Sequence, residues 1–540
     1  MGQGTIKEER HQKNINRFLV LIVVISVAIR GFLAWALELG NDEVYYWTYA
    51  LYPGLSHFDH PPMVGFMIQL FSLDLYFDSE LFIRMSSVLL GGANTYLIFL
   101  IGKSVKGRLT GLFAAMLYNT SVYCFVIAGI FILPDTPQLF FWLAGLYFLI
   151  ISLPAEEITK QAKNRILIAG LLIGLAMLSK YTSVFLWAGA GLYILIYNRK
   201  WLKTSQLYLS AILSLIIFTP VLFWNLENNF ISFTFQSERV GFFGQGLRPD
   251  YFFTELLGQI LYNNPVNFLI IIFALLALLK RKFKIEPGKL RLLMLTSLPL
   301  IFLFLFFALF RRTLPHWTGP AYLGLIVVAA AWLAEKAKSG TKKNYFPRAV
   351  QFATGTLLLA LTLGFVHINT GVFSFPDNPD PKKLGENDIT LDMYGWQQFA
   401  DKFAQQIDDD VKSGNMPAGA PIISHRWFPA AHLDYYVAHP NGIGLLAIGD
   451  LERVHKYAWI NRERGQIRLG SDAWFITSSR DYQAPTPLYG KYYSTIEKPQ
   501  IIKIYKGSKH VENFFVYRMR DCYLVPVDVL MEYGIDGYNH

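Results

Sequence analysis

Long apolar runs before about residue 370 constrain the fold of this chain more than any other feature of its sequence. They are about 20 residues long, which is enough to cross a hydrocarbon core of ~30 Å as helices. Charged residues make up only 16% of the chain, against roughly a quarter in soluble globular proteins. The pattern predicts a polytopic α-helical membrane protein with about eleven or more transmembrane helices. The apolar runs are 18–39, 84–102, 110–132, 137–153, 165–179, 182–197, 206–225, 255–279, 292–310, 318–334 and 349–368.

The loops between these runs alternate in charge. One alternate set holds 24 lysines and arginines, whereas the opposite set holds five. By the positive-inside rule this places the N-terminus in the cytoplasm, and an odd number of spans then places residues 370–540 outside. The net charge of +10 therefore reflects loop placement and does not indicate nucleic-acid binding. Residues 18–39 could alternatively be a cleaved signal peptide, but the apolar stretch is long for one.

The tail from residue 370 is polar and differs in character from the rest of the chain. Its periodicity predicts an amphipathic helix at 394–410 and a second helix at 429–438. Short β-like runs predict strands at 420–424, 443–448, 473–477, 500–505 and 513–519. About 170 residues are enough for a separate hydrophobic core. We therefore expect a transmembrane domain at 1–369 and an extracytoplasmic α/β domain at 370–540.

The loop after the first apolar run contains an unusual segment, NDEVYYWTYALYPGLSHFDHPP, at residues 41–62. It has five carboxylate and imidazole groups and no lysine or arginine. These groups are Asp42, Glu43, His57, Asp59 and His60. Aromatic residues lie between them, and among these Tyr45 and Tyr46 are candidates for sugar binding. Carboxylates beside sugar-stacking rings at the end of a membrane helix predict a catalytic site at the bilayer surface. Two amphipathic helices are expected in the 40–83 loop, one near Tyr45–Tyr52 and one after Pro61-Pro62.

Asp42 is the candidate general base. A carboxylate partly shielded from water and near a second carboxylate has its pKa raised towards the range that base catalysis needs. Glu43 would orient Asp42 or bind the acceptor, and the sequence does not separate these roles. The alternative is that both side chains only cap or solvate a helix end.

Cations are scarce on the predicted outer face, so each one is informative. Such cations suit a phosphate ligand, because arginine grips phosphate with two parallel hydrogen bonds and lysine acts as a point charge. The alternative is that they anchor lipid headgroups by snorkelling. The candidates for phosphate binding are Lys180, Arg239, Arg311, Arg312, His60 and His316, and Arg248 is a further cation of the 227–251 loop.

Three further features of the sequence each have two interpretations. Asp135 either caps the next helix or lines a cavity. His57, Asp59 and His60 offer a weak signal for a divalent metal; otherwise His57 and Asp59 contact substrate. Arg30 lies inside the first apolar run, about 18 Å along a helix from Asp42, which favours a structural role over a chemical one.

Several motifs carry a family resemblance when taken in order: Asp42-Glu43, FDHPP, LPDTPQLFFW at 133–142, SKYT at 179–182 and HWTGPAY at 316–322. Together they resemble the bacterial branch of the protein O-mannosyltransferase and aminoarabinose transferase superfamily (glycosyltransferase families 39 and 83). The resemblance implies a GT-C fold and a polyprenyl-phosphate sugar donor. It also implies Asp42 as base, Asp135 in the central cavity, and Lys180 and Tyr181 at the substrate. In the aminoarabinose branch a lysine follows the second acidic motif, where this chain has His60.

The expected function is transfer of one sugar from a polyprenyl-phosphate carrier to an acceptor on the outer face of the bacterial cytoplasmic membrane. The acceptor would be a lipid A-like glycolipid, a protein hydroxyl or an envelope glycan. The superfamily implies inversion at the anomeric carbon, which a single base and an in-line leaving phosphate would produce. No Gly-rich phosphate loop follows a strand, so a nucleotide-sugar donor is not expected. The alternatives are a flippase or transporter of lipid-linked sugars and a non-catalytic membrane scaffold.

Overall fold

A computed structural model of the chain describes residues 2–241, 246–338, 345–373 and 378–535. The chain divides into two compact units. The first, called the helical unit, comprises Met1–Trp35, His60–Trp224 and Ser232–Ala360. The second, called the sheet unit, comprises Ala36–Asp59, Asn225–Ile231 and Leu361–His540. The predicted boundary at residue 369 stays a prediction.

Sixteen α-helices precede residue 371 in the described part of the chain. They are α1 (Gly2–Ala36), α2 (Asn41–Leu51), α3 (Met63–Ser72), α4 (Glu80–Ile83), α5 (Met85–Lys106), α6 (Arg108–Thr120), α7 (Asp135–Ile150), α8 (Lys160–Met177), α9 (Val184–Tyr197), α10 (Ser205–Glu227), α11 (Ile231–Val240), α12 (Pro249–Tyr262), α13 (Pro265–Leu279), α14 (Pro287–Phe307), α15 (Gly319–Lys338) and α16 (Arg348–Thr370). Two of these, α2 and α3, fall where the sequence predicts short helices in the 40–83 loop.

The protein is a polytopic helical membrane protein. Among the described residues, six helices are long and apolar enough to cross a membrane, and a bent pair raises the number to seven. Other predicted spans fall on shorter helices, such as α7 and α9. The number of eleven spans therefore stays a prediction. The predicted basic loop at 335–348 lies partly outside the described residues, since 339–344 are not described.

The apolar run predicted as a span at 255–279 is not one continuous helix. Helices α12 and α13 meet there at 97°. Pro265 lacks an amide hydrogen and disfavours helical geometry at the residue before it. Asn264 accordingly has φ 68°, and its side chain accepts a hydrogen bond from the amide of Val266. The side-chain amide donates to the carbonyls of Thr120 and Ala353, both at 2.9 Å, and so fixes the bend.

The predicted span 110–132 is also not one helix. α6 ends at Thr120, Ser121 is extended, and a π-helical turn follows at Tyr123–Ile127. The side chains of Asn119, Thr120 and Ser121 compete with backbone hydrogen bonding, which weakens a helix at that point. The carbonyls of Cys124 and Phe125 receive weak hydrogen bonds from the Arg30 guanidinium at 3.4–3.5 Å. Arg30 is fully buried and lies 4.2 Å from the Phe125 ring centroid, which supports its predicted structural role.

The sheet unit contains a six-stranded sheet. Its strands are β1 (Ile422–Ser424), β2 (Leu445–Ala447), β3 (Ala473–Ser478), β4 (Tyr493–Ile496), β5 (Gln500–Lys506) and β6 (Lys509–Cys522). β1 pairs in parallel with β2 and β3, and β6 pairs antiparallel with β3, β4 and β5. Its helices after residue 370 are α17 (Trp396–Lys412), α18 (Trp427–Leu433), α19 (His439–Asn441), α20 (Leu451–Val454), α21 (Tyr457–Arg464) and α22 (Pro485–Tyr489).

The five predicted strands and the amphipathic helix of the tail are all present, which confirms a C-terminal α/β fold. The sequence prediction missed β4, whose four residues alternate poorly and are only partly buried. It also divided the helix at 429–438 differently, because α18 ends at Leu433 and a π-helical turn continues to Ala438.

Candidate active site

The acidic pair lies in the first turn of α2, in the sheet unit. Glu43 is buried, and its carboxylate accepts a hydrogen bond from the amide of Gly40 at 2.9 Å, so it caps the helix. Asp42 is exposed, contrary to the partial shielding expected from the sequence. Both carboxylates lie where the helix dipole favours negative charge. The two side chains therefore differ: one holds the helix start, and the other is accessible to a substrate.

Asn41, next to Asp42, fixes the start of α2. Its side-chain amide donates to Asp392 at 2.9 Å, and its carbonyl oxygen is 2.9 Å from Nε2 of His432. Burial, with a contribution from the Arg480 charge, lowers the pKa of His432 well below its usual value. The neutral ring therefore donates from Nε2 to Asn41, since the Asn41 oxygen can only accept. The position of Asp42 is thus set by residues more than 300 positions away in the chain.

Asp59 is held by two tyrosine hydroxyls from α2. Tyr45 and Tyr49 donate to the same oxygen, Oδ1, at 2.7 and 2.5 Å. Burial, followed by the charge of Asp59, raises the pKa of Tyr45 well above its usual value, so its hydroxyl remains a donor. Tyr46 is buried edge-on against Tyr49, with ring centroids 5.3 Å apart. These contacts organise the loop internally, and sugar binding by Tyr45, Tyr46 and Asp59 stays a proposal.

His57 lies against Tyr49, with ring centroids 3.7 Å apart. Burial, followed by the charge of Lys456, lowers the pKa of His57 well below its usual value. Lys456 is itself buried, and its ammonium donates to the carbonyls of Thr48 and Tyr52 at 2.8 and 2.6 Å. No group of three or more His, Cys, Asp or Glu side chains within the described ranges is placed to hold a metal ion.

In the helical unit, Lys180 and Asp135 form a buried ion pair with an Nζ–Oδ2 distance of 2.7 Å. The other oxygen of Asp135 accepts from the hydroxyl of Tyr123 at 3.0 Å. Gly319 permits this arrangement, because a Cβ at that position would lie 2.2 Å from the Tyr123 ring. Asp135 is the first residue of α7, and the residue that caps the helix is Pro134. The Asp135 side chain contacts Lys180 and Tyr123 instead.

His316 lies close enough to Asp135, Lys180 and His60 to interact with their charges. The four residues therefore belong to one polar group within the helical unit. Tyr181, next to Lys180, is oriented by a hydrogen bond of 2.7 Å to the hydroxyl of Ser232. The sequence assigns Lys180 and His60 to phosphate binding because cations are scarce on the predicted outer face, and Asp135 to the central cavity through the family resemblance.

Four arginines of the predicted outer loops line one cavity of about 650 Å³ in the helical unit. They are Arg239, Arg248, Arg311 and Arg312. The guanidinium of Arg239 lies 4.8 Å from the ring centroid of Trp317, and Nε of Arg311 donates to the carbonyl of Gly241 at 2.7 Å. Arg248 is exposed and paired with Asp250 at 2.8 Å. The cavity is therefore strongly cationic and suits a phosphate group.

Comparison with known proteins finds similarity to glycosyltransferases. The family model of dolichyl-phosphate-mannose-protein mannosyltransferases matches residues 59–224. The lipid A galacturonosyltransferase RgtD of Rhizobium johnstonii is 21% identical over 318 residues, which are 56% of this chain and 64% of that protein. The chain is therefore similar to glycosyltransferases of the protein O-mannosyltransferase and aminoarabinose transferase superfamily, which its motifs also resemble. The match to RgtD spans less than two thirds of that relative's length.

Solved structures show the fold of this chain. ArnT from Cupriavidus metallidurans in the apo state superposes with a TM-score of 0.62 at 13% identity, covering 93% of this chain and 98% of that one. ArnT bound to undecaprenyl phosphate gives a TM-score of 0.59 at 15% identity, covering 92% of this chain and 97% of that one. The fold is therefore GT-C, with a C-terminal sheet domain.

The structure also identifies residues that the sequence did not single out for a site. Tyr123 holds Asp135, but it lies in an apolar run with no distinguishing neighbour. Lys456 and Asp392 organise α2 from the C-terminal tail. A single sequence gives no signal for such pairings, because they depend on long-range folding.

Proposed function

We propose that this protein is an inverting glycosyltransferase that moves one sugar from a polyprenyl phosphate to a lipid A-type glycolipid. The reaction would take place on the outer face of the bacterial cytoplasmic membrane. The observation that carries the proposal is the cavity lined by Arg239, Arg248, Arg311 and Arg312. RgtD, described as a lipid A galacturonosyltransferase, supports the acceptor class, and the ArnT complex with undecaprenyl phosphate supports the carrier.

The proposed chemistry assigns one task to each group. Asp42, exposed at the start of α2, accepts the proton of the acceptor hydroxyl. The arginines of the cavity stabilise the negative charge that develops on the departing phosphate. Lys180, held by Asp135, supplies a further fixed positive charge. As it loses its proton to Asp42, the acceptor oxygen attacks the anomeric carbon from the side opposite the phosphate, so a new glycosidic bond forms, the bond to the phosphate oxygen breaks and the configuration inverts.

The donor assignment is tested by binding of undecaprenyl phosphate to the purified full chain in detergent. Arg239→Ala and Arg311→Ala should each weaken binding by about tenfold or more, because a hydrogen bond to a charged group contributes ~1.5–3 kcal/mol. Lys280→Ala is the matched control, since Lys280 is an exposed cation at the end of α13 outside the cavity. Equal affinities for the parent and both arginine variants would exclude the cavity as the phosphate site.

The acceptor assignment is tested by mass spectrometry of envelope lipids and proteins from a deletion strain. Complementation uses either the parent gene or the Asp42→Asn variant. Loss of one sugar mass from a glycolipid, restored by the parent but not by Asp42→Asn, is the expected result. Loss from a protein instead would reassign the acceptor. Sugar transfer by the purified chain distinguishes an enzyme from a transporter, because a transporter forms no glycosidic bond.

A further inference from the structure

A small cavity of about 140 Å³ lies within the sheet unit, at the carboxyl ends of β1 and β3. The strand order is β2-β1-β3, so β2 and β3 lie on opposite flanks of β1. The chain runs from β1 to β2 on one flank and then crosses to β3 on the other flank. This is a topological switch point, where adjacent parallel strands leave a crevice open at their carboxyl ends. Ligands of open α/β sheets bind in such crevices.

The lining of the cavity combines aromatic rings with polar groups of both charges. Trp396, Phe428 and Phe514 supply rings, and Arg480 and Asp481 supply charges at the end of β3. The charges are already balanced. Arg480 pairs with Asp392, and Asp481 accepts from Arg426 at 3.1 Å. Because no excess of positive charge remains, the lining does not suit a phosphate. Rings beside carboxylate acceptors and a guanidinium donor suit the apolar and hydroxyl faces of a sugar.

Glu512, which is bonded to the Ser478 side chain, and Trp396 add buried hydrogen-bonding groups at the cavity. Burial raises the pKa of Glu512 to about 8, so the carboxyl is largely protonated at neutral pH and offers both an O–H donor and an acceptor. Nε1 of Trp396 is buried with no hydrogen-bond partner among the described residues. Both residues line the cavity. A hydroxyl group, which donates and accepts, matches such a pair.

The cavity adjoins the candidate base along the chain. Asn41 lines it, and Asp42 is the next residue. A ligand seated in the cavity would therefore lie within a few ångströms of the start of α2. A closed cavity of about 150 Å³ admits one benzene ring, so a volume of about 140 Å³ holds at most part of one sugar residue and excludes an oligosaccharide.

We propose that this cavity binds one uncharged sugar ring of the acceptor and so holds the acceptor beside Asp42. The proposal rests on the proposed function for the identity of the ligand as an acceptor. The existence of a sugar site here is independent of any transfer reaction. It can therefore be tested without an active enzyme.

The test is saturation-transfer NMR on the full chain in detergent, with methyl N-acetyl-β-D-glucosaminide as the probe and inorganic phosphate as a competitor. The parent should bind the glycoside, and phosphate should not displace it. Asp481→Asn should weaken binding by about tenfold, since a charged acceptor is lost. Asp528→Asn is the matched control, because Asp528 is also a partly buried aspartate paired with an arginine, Arg462, at a different cavity.

Phe428→Leu provides a second variant that keeps a large apolar side chain but removes the ring. It should also weaken glycoside binding, with an unchanged melting temperature as the check on folding. No glycoside binding to the parent, equal binding by the two cavity variants and the control, or displacement by phosphate would each overturn the sugar site.

Transfer kinetics then separate this proposal from the proposed function. With a working donor and acceptor, Phe428→Leu should raise the KM for the acceptor by about tenfold and leave the KM for the donor unchanged. If the parent binds the glycoside but forms no glycosidic bond, the proposed function fails while the sugar site stands. If transfer proceeds and Phe428→Leu leaves the acceptor KM unchanged, the acceptor role fails while the enzyme stands.

Discussion

At the scale of single residues, Asp42 is the group on which the proposed chemistry depends most. Its carboxylate is exposed, while its neighbour Glu43 is buried and bonded to the amide of Gly40. Asp42→Asn should therefore abolish transfer with little change in thermal stability. Loss of general-base help typically costs about 10²–10⁴-fold in rate. The measurement is sugar transfer by purified parent and variant, with detergent melting curves alongside.

Asp408→Asn is the control for this experiment, since Asp408 is an exposed aspartate on α17. It should transfer sugar at the parent rate. If Asp42→Asn retained more than about a tenth of the parent rate, Asp42 would not be the base. Glu43→Gln tests the role of the second carboxylate separately. It should lower the melting temperature, because it weakens a helix cap.

The ion pair of Lys180 and Asp135 requires a different design. Removing one partner leaves an uncompensated buried charge, which typically costs about 3–5 kcal/mol of stability. Lys180→Met alone should therefore lower both the melting temperature and the turnover. The double variant Lys180→Met/Asp135→Asn should recover much of the stability. If Lys180 contacts the donor phosphate, turnover should remain low; recovery of turnover together with stability would show that the pair is only structural.

At the scale of elements, the sequence predicted the helices and strands that depend on local periodicity. The amphipathic helix at α17 and the strands β1, β2, β3, β5 and β6 follow from periodicity in the tail. The breaks in the membrane helices did not follow, because apolar residues continue on both sides of Asn263-Asn264-Pro265 and overall hydropathy does not separate one span from two helices. The 97° bend there depends on Pro265 and on carbonyl acceptors from Thr120 and Ala353, which are distant in sequence.

The bend between α12 and α13 gives a prediction about Asn264. Asn264→Ala removes three hydrogen bonds and retains a Cβ at φ 68° and ψ 122°, so it should lower the melting temperature clearly. Asn264→Gly loses the same bonds but adopts a positive φ without steric cost. The glycine variant should therefore be the more stable of the two by roughly 1 kcal/mol. Equal melting temperatures would mean that the backbone conformation contributes nothing measurable.

At the scale of the whole molecule, the sequence indicated the parts of the candidate site better than their organisation. Three of the predicted phosphate-binding arginines, Arg239, Arg311 and Arg312, line one cavity, and Lys180 pairs with Asp135. The scarcity of lysine and arginine on the predicted outer face was the feature of the sequence that pointed to them. The network around Asn41 had no such signal, because its partners Asp392 and His432 come from the tail. Pairing across more than 300 residues is a property of the folded chain.

Orientation in the membrane is a prediction that does not depend on the chemistry. It rests on the split of 24 to five basic residues between alternate loops and on an odd number of spans. A reporter active only outside the cytoplasm should be active when fused after about residue 375 and silent when fused near residue 285. The N-terminus should be inaccessible to a protease added to intact spheroplasts. The opposite result would place Asp42 and the sheet unit in the cytoplasm. A polyprenyl-phosphate sugar presented outside could then not reach Asp42, and a cytoplasmic sugar donor would replace it in the proposed function.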